Sequence, residues 1–213
     1  MMLEVVSLTL GPLPNNVYLL GDNATGDAVV IDPSFESQAV LDRAEEKGWT
    51  LRGIWLTHAH FDHIAGAGEI AKTYDPALPV GLHPDDLAWY EQDGGAAKFG
   101  LSIPPLPSVS LSFDHGMRIG LHNGQTPVVE VRHAPGHSPG HVVFYVESLG
   151  VLFCGDVIFH QGIGRTDLPG GDADTLVSSI QTQVFTLPDE TRLLPGHGPE
   201  TTVGFERDNN PYL

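Results

Sequence analysis

The chain has 213 residues, enough for one substantial hydrophobic core, and we expect a single domain over residues 1–213. It carries 27 Asp and Glu against 10 Lys and Arg, a formal net charge of -17 that repels phosphate backbones and anionic lipids, so neither nucleic acid nor a membrane is an expected partner. The single cysteine, Cys154, excludes an internal disulfide, and no apolar run approaches the roughly 20 residues that span a bilayer. Since residues 1–30 lack the pattern of a signal peptide, we expect a cytoplasmic protein.

The first part of the sequence predicts an antiparallel β meander followed by a helix. Strands are predicted over residues 2–10, 16–21 and 28–31, separated by Gly, Pro, Asn and Asp turn residues. Apolar positions among charges predict a helix over 37–47 that stops at Gly48. A buried strand is predicted over 53–57 and a second helix over 64–74.

Between that strand and that helix lies the sequence His58-Ala59-His60-Phe61-Asp62-His63. Imidazole nitrogens and carboxylate oxygens suit zinc, iron or manganese, and a core holds four such side chains close together only when something coordinates them. An irregular turn at a strand end can direct alternating side chains toward two neighbouring points. The pattern therefore predicts a metal site, with a His-rich surface turn as the alternative.

The rest of the chain predicts a second sheet with an outer helix. Residues 80–82 are a predicted strand, and 83–86 a predicted entry to a helix that runs through Tyr90. Residues 92–108 are rich in Gly and Pro without a period, so we expect a loop that either acts as a flap or only covers the surface. Strands are predicted over 128–132, 142–146 and 151–153, a helix over 173–185 with Asp172 or Asp174 as N-cap, and a last strand at 193–194. This order favours two sheets with helices outside.

Three further residues stand beside Gly or Pro just after β-like runs, namely His137, Asp156 and His197. Because several strand ends can meet at one rim, we expect these residues to join the first cluster. Together they make seven ligands, too many for one ion and suited to two: a histidine triad, a mixed His and Asp set, and a bridging carboxylate. The alternative for any single one of them is a hydrogen-bonded core residue.

The sequence resembles the metallo-β-lactamase-fold hydrolases, whose H-x-H-x-D-H turn it carries at 58–63, followed by the family's later His, Asp and His in order. The likeness covers essentially the whole chain and implies an αββα sandwich of two mixed sheets with flanking helices. It also implies a ligand assignment: His58, His60 and His137 for the first metal, Asp62, His63 and His197 for the second, and Asp156 as the bridge. Asp32 matches an early family Asp with a supporting role.

Residues 135–141 (PGHSPGH), 164–171 (GRTDLPGG) and 204–212 are similar to the small bacterial glyoxalase II-type hydrolases and to their persulfide dioxygenase relatives. Asp156 argues against true β-lactamases, and His60 against the flavodiiron branch. Because the sequence ends soon after His197, we expect no helical C-terminal extension of the kind with which longer glyoxalase II enzymes hold glutathione. We therefore expect a weak grip on that thiol carrier.

These features predict a metal-dependent hydrolase acting on a small-molecule thioester of the S-lactoylglutathione type. We expect two divalent ions, zinc first with iron or manganese as alternatives, a metal-bridging hydroxide as nucleophile, and Asp62 and Asp156 as catalytic residues. A thiolate leaves without a general acid because its parent thiol has a pKa of about 8.5. Arg165 is predicted to bind a substrate carboxylate, with a loop brace as the alternative.

Two other functions stay open at this point. A mononuclear iron persulfide dioxygenase would, by resemblance, use only His58, His137 and Asp156, and a non-catalytic metal-binding protein would need none of the chemistry. Cys154 lies in an apolar strand and is predicted to be a buried small side chain rather than a nucleophile. The sequence leaves the native metal and the oligomeric state open.

Overall fold

Two β-sheets packed face to face form the centre of the computed structural model, which describes residues 2–74, 76–122 and 128–213. Within those residues the first sheet has the order β1 (Leu3–Leu10), β2 (Asn15–Asp22), β3 (Asp27–Ile31), β4 (Thr50–Trp55), β5 (Val80–Leu82) and β6 (Leu111–Ser112). The second has the order β14 (Thr201–Thr202), β13 (Arg192–Pro195), β10 (Val151–Gly155), β9 (Val142–Val146), β8 (Val129–His133) and β7 (Arg118–Ile119). A separate hairpin joins β11 (Ile158–Phe159) to β12 (Gly162–Ile163).

Helices cover the outer faces of both sheets. They are α1 (Gln38–Glu46), α2 (Phe61–Ile64), α3 (Ala67–Lys72), α4 (Leu87–Tyr90), α5 (Ala173–Ser179) and α6 (Val203–Asn209). Short 3₁₀ segments span Pro84–Asp86, Asp93–Phe99 and Glu147–Leu149, and a π-helical turn, Ile180–Val184, continues α5. Of the helices described here, none combines the length and apolar character that crossing a bilayer requires.

Three apolar clusters define the layers. In β2 the side chains alternate, so Leu19 packs with helical residues such as Ile70, while Leu20 packs between the sheets with Phe144. A third cluster joins the outer face of the second sheet to Leu176 of α5. Strands that bury both faces read as continuous apolar runs, which is why they are recognisable in the sequence. The resulting order, helix–sheet–sheet–helix, confirms the predicted αββα sandwich.

Strand direction gathers five chain segments at one edge of the sandwich. In the first sheet β3 and β4 are parallel, so the segments after Ile31 and Trp55 leave together. In the second sheet β10 and β13 are parallel, and β8 runs the same way because β8 and β10 are both antiparallel to β9. The residues after these strand ends contain all the predicted ligands.

The predicted meander is confirmed, since β1, β2 and β3 pair antiparallel. The predicted helix over 64–74 is wrong in its bounds, because α2 already begins at Phe61 and the helix breaks before α3. The break lies at Gly66, whose N–H donates to Pro33 O at 2.9 Å, and a Cβ there would stand 2.2 Å from Ser34 O. Asp62 and His63 consequently lie on a helical turn and not in an irregular loop.

Two other expectations need correction. Residues 92–108 do not form a plain loop, because Asp93–Phe99 is a 3₁₀ segment interrupted by positive φ at Gly94 and Gly95 (60° and 77°). The strand at 193–194 is not the last element, since β14 and α6 follow it. In α6 only Val203 and Glu206 are buried, so its sequence carries too little apolar period to predict a helix.

Candidate metal centre

All seven predicted ligands meet at the rim where the strands end. His58 and His60 follow β4, Asp62 and His63 lie on α2, and His137, Asp156 and His197 follow β8, β10 and β13. Six of them are buried, and His197 is partly exposed. Two ligand groups result: His58, His60 and His137 in one, and Asp62, His63 and His197 in the other.

In the first group three imidazole nitrogens point at a common centre. His137 Nε2 lies 3.2 Å from His58 Nε2 and 2.8 Å from His60 Nδ1. A tetrahedral ion with metal–nitrogen bonds of about 2.0–2.1 Å separates its nitrogen ligands by about 3.3 Å. The first group therefore has the spacing of a three-histidine site for one transition metal.

In the second group a carboxylate joins two imidazoles. Asp62 Oδ2 lies 3.1 Å from His197 Nε2 and 3.7 Å from His63 Nε2. Mixed nitrogen and oxygen ligands of this kind suit zinc, iron and manganese.

Asp156 faces both groups. Its Oδ1 lies 3.4 Å from His63 Nε2, and its Oδ2 lies 3.6 Å from His137 Nε2 and 3.8 Å from His197 Nε2. One carboxylate thus has an oxygen directed at each ligand group, which is the arrangement a bridge between two ions requires.

Hydrogen bonds at Nδ1 orient four of the histidine rings, so that each presents its Nε2 to the centre. The remote Nδ1 of each donates to an oxygen: His58 to Thr57 Oγ1 (3.0 Å), His63 to Asp32 Oδ2 (3.0 Å), His137 to Arg165 O (2.8 Å) and His197 to Pro14 O (3.3 Å). A histidine held in this way keeps its Nε2 lone pair free for a metal. Within the described chain, His63 Nε2 and Asp156 Oδ1 are buried without a hydrogen-bond partner. Such atoms cost about 1–3 kcal/mol each when unsatisfied, so the residues present fit bound ions.

The electrostatics of the first group favour neutral imidazoles. Burial, together with the neighbouring His63 and His141, holds the pKa of His58 well below its ordinary value. Burial and His137 lower the pKa of His60 to about 3. Neutral imidazole is the form that binds a metal, so the group is in its ligand state at neutral pH.

The electrostatics of the second group favour a positive charge, because two carboxylates lie beside its buried histidine. Burial alone would lower the pKa of His63, but the carboxylates of Asp156 and Asp62 raise it well above its ordinary value. For the carboxyl group of Asp156 the directions are reversed. Burial alone would raise its pKa, but the neighbouring His63 holds that pKa far below its usual range. A metal cation at this position would replace the proton that the carboxylates attract.

Asp32 supports the centre without entering it. Its Oδ1 accepts from Thr57 N–H at 2.7 Å, and its Oδ2 accepts from Thr57 Oγ1 at 2.6 Å and from His63. Asp32, His58 and His63 could by distance also hold an ion, but the Asp32 carboxylate is already occupied by these donors. It therefore acts by orienting His63.

Asp86 is a supporting residue that sequence reasoning missed. It is fully buried, and its Oδ2 accepts from Ala59 N–H at 3.0 Å and Ser138 Oγ at 2.7 Å, while its Oδ1 accepts from Gly140 N–H at 2.6 Å. One carboxylate thus ties the loop that carries His58 and His60 to the loop that carries His137. The signal in the sequence was an Asp soon after β5, at a strand end like the ligands themselves.

Asp86→Asn is expected to weaken metal binding by the first group about 10- to 100-fold, as is typical when a residue that orients ligands is lost. The reason is that an amide NH₂ would face one of the N–H or O–H donors that Asp86 now accepts. Competition with a chromophoric chelator measures the affinity. An exposed carboxylate outside every candidate ligand group supplies the control, because Asp174→Asn should bind metal like the wild type. Equal affinities for the two variants would remove Asp86 from the account.

Three further residues, His141, Cys154 and Arg165, lie around the centre. His141 is buried and accepts Asp156 N–H at 3.0 Å through Nε2. Cys154 is buried, and burial raises the pKa of its thiol, which confirms a packing role. The carbonyl of Arg165 accepts from His137, while its guanidinium makes two hydrogen bonds to Asp167 at 2.7 and 2.8 Å. Binding of a substrate carboxylate by Arg165 stays a prediction.

A cavity of about 480 Å³ opens over the two ligand groups. Its lining residues are Leu13, His60, Phe61, Asp62, Trp89, Gly94, Phe99, His137, Asp156, Phe159, Ile163, Arg165, Leu168 and His197. The segment 92–108 thus contributes Gly94 and Phe99 to the wall. A Cβ at Gly94 would lie 2.3 Å from Phe61 N, so this part of the segment rests directly on the metal-binding turn. Movement of the segment as a flap stays a prediction.

Comparison with known proteins gives a consistent result. Residues 10–197 match the metallo-beta-lactamase superfamily. The chain is 38% identical to "Probable metallo-hydrolase YqgX" of Bacillus subtilis, over 97% of this chain and 95% of that protein. It is 34% identical to "Hydroxyacylglutathione hydrolase GloC" of Haemophilus influenzae, over 100% of this chain and 98% of that protein.

Two solved structures extend the comparison. TTHA1623 in a di-iron-bound form is 41% identical with a TM-score of 0.88, covering 98% of this chain and 100% of that one. BLEG-1, described as a B3 metallo-beta-lactamase, is 36% identical with a TM-score of 0.89, covering 99% of each chain.

Proposed function

The chain belongs to the metallo-beta-lactamase superfamily and is a metal-dependent hydrolase of that fold, and we propose that it cleaves the thioester bond of a small acylated thiol with two bound metal ions. The two ligand groups, with Asp156 facing both, support the second ion, as does the di-iron form of TTHA1623. The likeness to a hydroxyacylglutathione hydrolase supports the thioester.

One observation carries the choice of a thioester. Among the described residues that line the cavity, every titratable group except Arg165 belongs to the seven candidate ligands. With those groups committed to metal, no side chain in the wall is free to protonate a poor leaving group such as an amine. A thiolate leaves without being protonated by a side chain, since its parent thiol has a pKa of about 8.5.

Bound at this centre, divalent ions would lower the pKa of water to near neutrality and polarise the carbonyl oxygen of the substrate. The chain itself supplies position. Asp62 lines the cavity, and its Oδ2 is directed at the second ligand group. We assign to its other oxygen, Oδ1, the acceptance of a hydrogen bond from the attacking water. Asp32 and Asp86 hold the ligands in place, and the apolar wall limits access of bulk water.

The first experiment compares three substrates with zinc-loaded, iron-loaded and manganese-loaded protein. We expect hydrolysis of S-lactoylglutathione, with a high KM, to exceed by about tenfold or more both oxygen consumption with glutathione persulfide and opening of a β-lactam. The β-lactam needs a proton for its leaving nitrogen, which the wall does not supply outside its ligands. Persulfide oxidation on one iron would leave His60, Asp62, His63 and His197 without a catalytic role. Oxygen uptake with iron and negligible thioester cleavage would contradict the proposal.

β-Lactam hydrolysis is a second candidate function, because this chain is 36% identical over nearly its whole length to BLEG-1, whose structure is described as that of a B3 metallo-beta-lactamase. A β-lactam releases an amine in place of a thiolate, so the same site would need a proton source that the described cavity wall lacks outside its ligands. β-Lactam turnover faster than that of every thioester tested would favour this second function.

A further inference from the structure

The cavity wall outside the metal-binding groups is almost entirely apolar. Its large side chains come from four separate parts of the chain: Leu13 from the turn between β1 and β2, Phe61 from α2, Trp89 from α4 and Phe99 from the 3₁₀ segment. Across the opening, Phe159, Ile163 and Leu168 complete the wall. A bound molecule that leaves the metal centre therefore meets hydrocarbon in most directions.

Two of these side chains stand at the mouth and are open to solvent. Leu13 is 45% exposed and Phe99 is 49% exposed, although Phe99 also packs on Phe61 with ring centroids 5.1 Å apart. Large apolar side chains gathered around a concave opening mark a surface that binds an apolar ligand. Each would lose water contact when such a ligand enters, which is a favourable change.

The same wall presents few cationic side chains to an anionic ligand. Arg165 is the only Lys or Arg among the described lining residues, and its two hydrogen bonds to Asp167 occupy the Nε–Nη2 edge of the guanidinium, one of the edges that bind a carboxylate with two hydrogen bonds. Lys98, the next cation, lies over the Trp89 ring at 4.7 Å and does not line the cavity. The net charge of -17 adds general repulsion of anions.

From this wall we infer that the preferred substrates are thioesters with uncharged, apolar arms, and that a carrier with free carboxylates, such as glutathione, is disfavoured. The inference rests on the proposed thioester hydrolysis and names its substrate class. Glutathione brings two carboxylates, and the described side chains that line the cavity outside the metal ligands provide one cation, Arg165, which is already paired with Asp167. An uncharged arm instead lies against Leu13, Phe99 and Phe159.

A pair of substrates that differ in whether their two carboxylates are free or esterified tests the carrier. S-Lactoylglutathione and its diethyl ester share the scissile bond, and the ester lacks both carboxylates. We expect kcat/KM to be at least about tenfold higher for the diethyl ester, because each unpaired carboxylate costs desolvation in an apolar wall. Equal or lower activity on the ester would overturn the inference.

A series of acyl chains on one uncharged thiol, N-acetylcysteamine, tests the apolar wall. From acetyl to hexanoyl we expect kcat/KM to rise about two- to fourfold per methylene, the upper value being that of a fully buried CH₂. Phe99→Ala should flatten this rise, because it removes part of the apolar wall that the longer acyl chains would contact. Phe205→Ala is the matched control, since Phe205 is a 38% exposed aromatic residue outside the cavity and should keep the full rise.

Asp167→Asn gives an independent check, because it releases the Arg165 guanidinium. This variant should improve kcat/KM for S-lactoylglutathione about threefold to tenfold, the range of charge-assisted hydrogen bonds at a partly exposed site, and leave the diethyl ester unaffected. If no thioester in any series is cleaved, the proposed function itself fails. If thioesters are cleaved but charged glutathione is preferred in the wild type, only the inference about substrate class fails.

Discussion

Asp156→Asn is expected to lower kcat by about a hundredfold or more, which is the loss typical of removing one preorganised charged group from a catalytic centre. The substitution keeps the shape of the side chain but removes the negative charge that faces His63 on one side and His137 on the other. Without that charge the two ligand groups lose their shared partner, and the proton-attracting field around His63 weakens.

Steady-state kinetics with a thioester and a melting curve measure the outcome together. Because the shape is kept and only charge is lost, the folded protein should persist, so the defect should appear in turnover and metal content. Asp208→Asn is a suitable control, since Asp208 is exposed on α6 away from the cavity. Full turnover with full metal content in Asp156→Asn would exclude Asp156 from the centre.

Complete removal of metal should abolish activity, leaving at most about one per cent of turnover, because nothing would then lower the pKa of the attacking water. The described cavity wall contains no Ser, Thr or Cys that could serve as nucleophile instead. It should also lower Tm. An ion present at about 100 times its Kd stabilises the folded state by about 2.7 kcal/mol, which for a chain of this size corresponds to roughly 5–10 °C. Dialysis against a chelator, followed by assay and calorimetry, measures both effects.

Reconstitution supplies the control for that experiment. Zinc, iron or manganese should restore turnover and Tm, whereas magnesium should not, because a group of three imidazoles binds hard, oxygen-preferring cations poorly. Activity that survives complete chelation, or that magnesium restores as well as zinc, would contradict a centre built on His58, His60 and His137.

Much of this fold was predictable because both sheets bury their two faces and so carry long β-branched runs. The residues gathered at the centre were also predictable, since each is a His or Asp beside a strand end. Asp86 was not, because its partners at Ser138 and Gly140 are 52 and 54 residues away in sequence. The break at Gly66 depends in the same way on contact with Pro33 and Ser34.

The small elements escaped prediction for a different reason. Two of the short strands have two residues each, too few to display any alternation of apolar and polar side chains: β6 (Leu111–Ser112) and β7 (Arg118–Ile119). Their position is decided by the strands next to them, β5 and β8. The pairing of Arg165 with Asp167, two residues on, was open to prediction from their spacing.

The most direct test of the central claim is the number of transition metal ions per chain after reconstitution with excess zinc, iron or manganese and removal of loosely bound metal. Elemental analysis should find close to two ions in the wild type, because the ligands form two groups, and close to one in His197→Ala, which removes a ligand from the second group only. His122→Ala, which removes an exposed histidine that belongs to neither group, should retain two. A wild-type protein that holds one ion under all three metals, or a His197→Ala variant that still holds two, would contradict the two-metal centre.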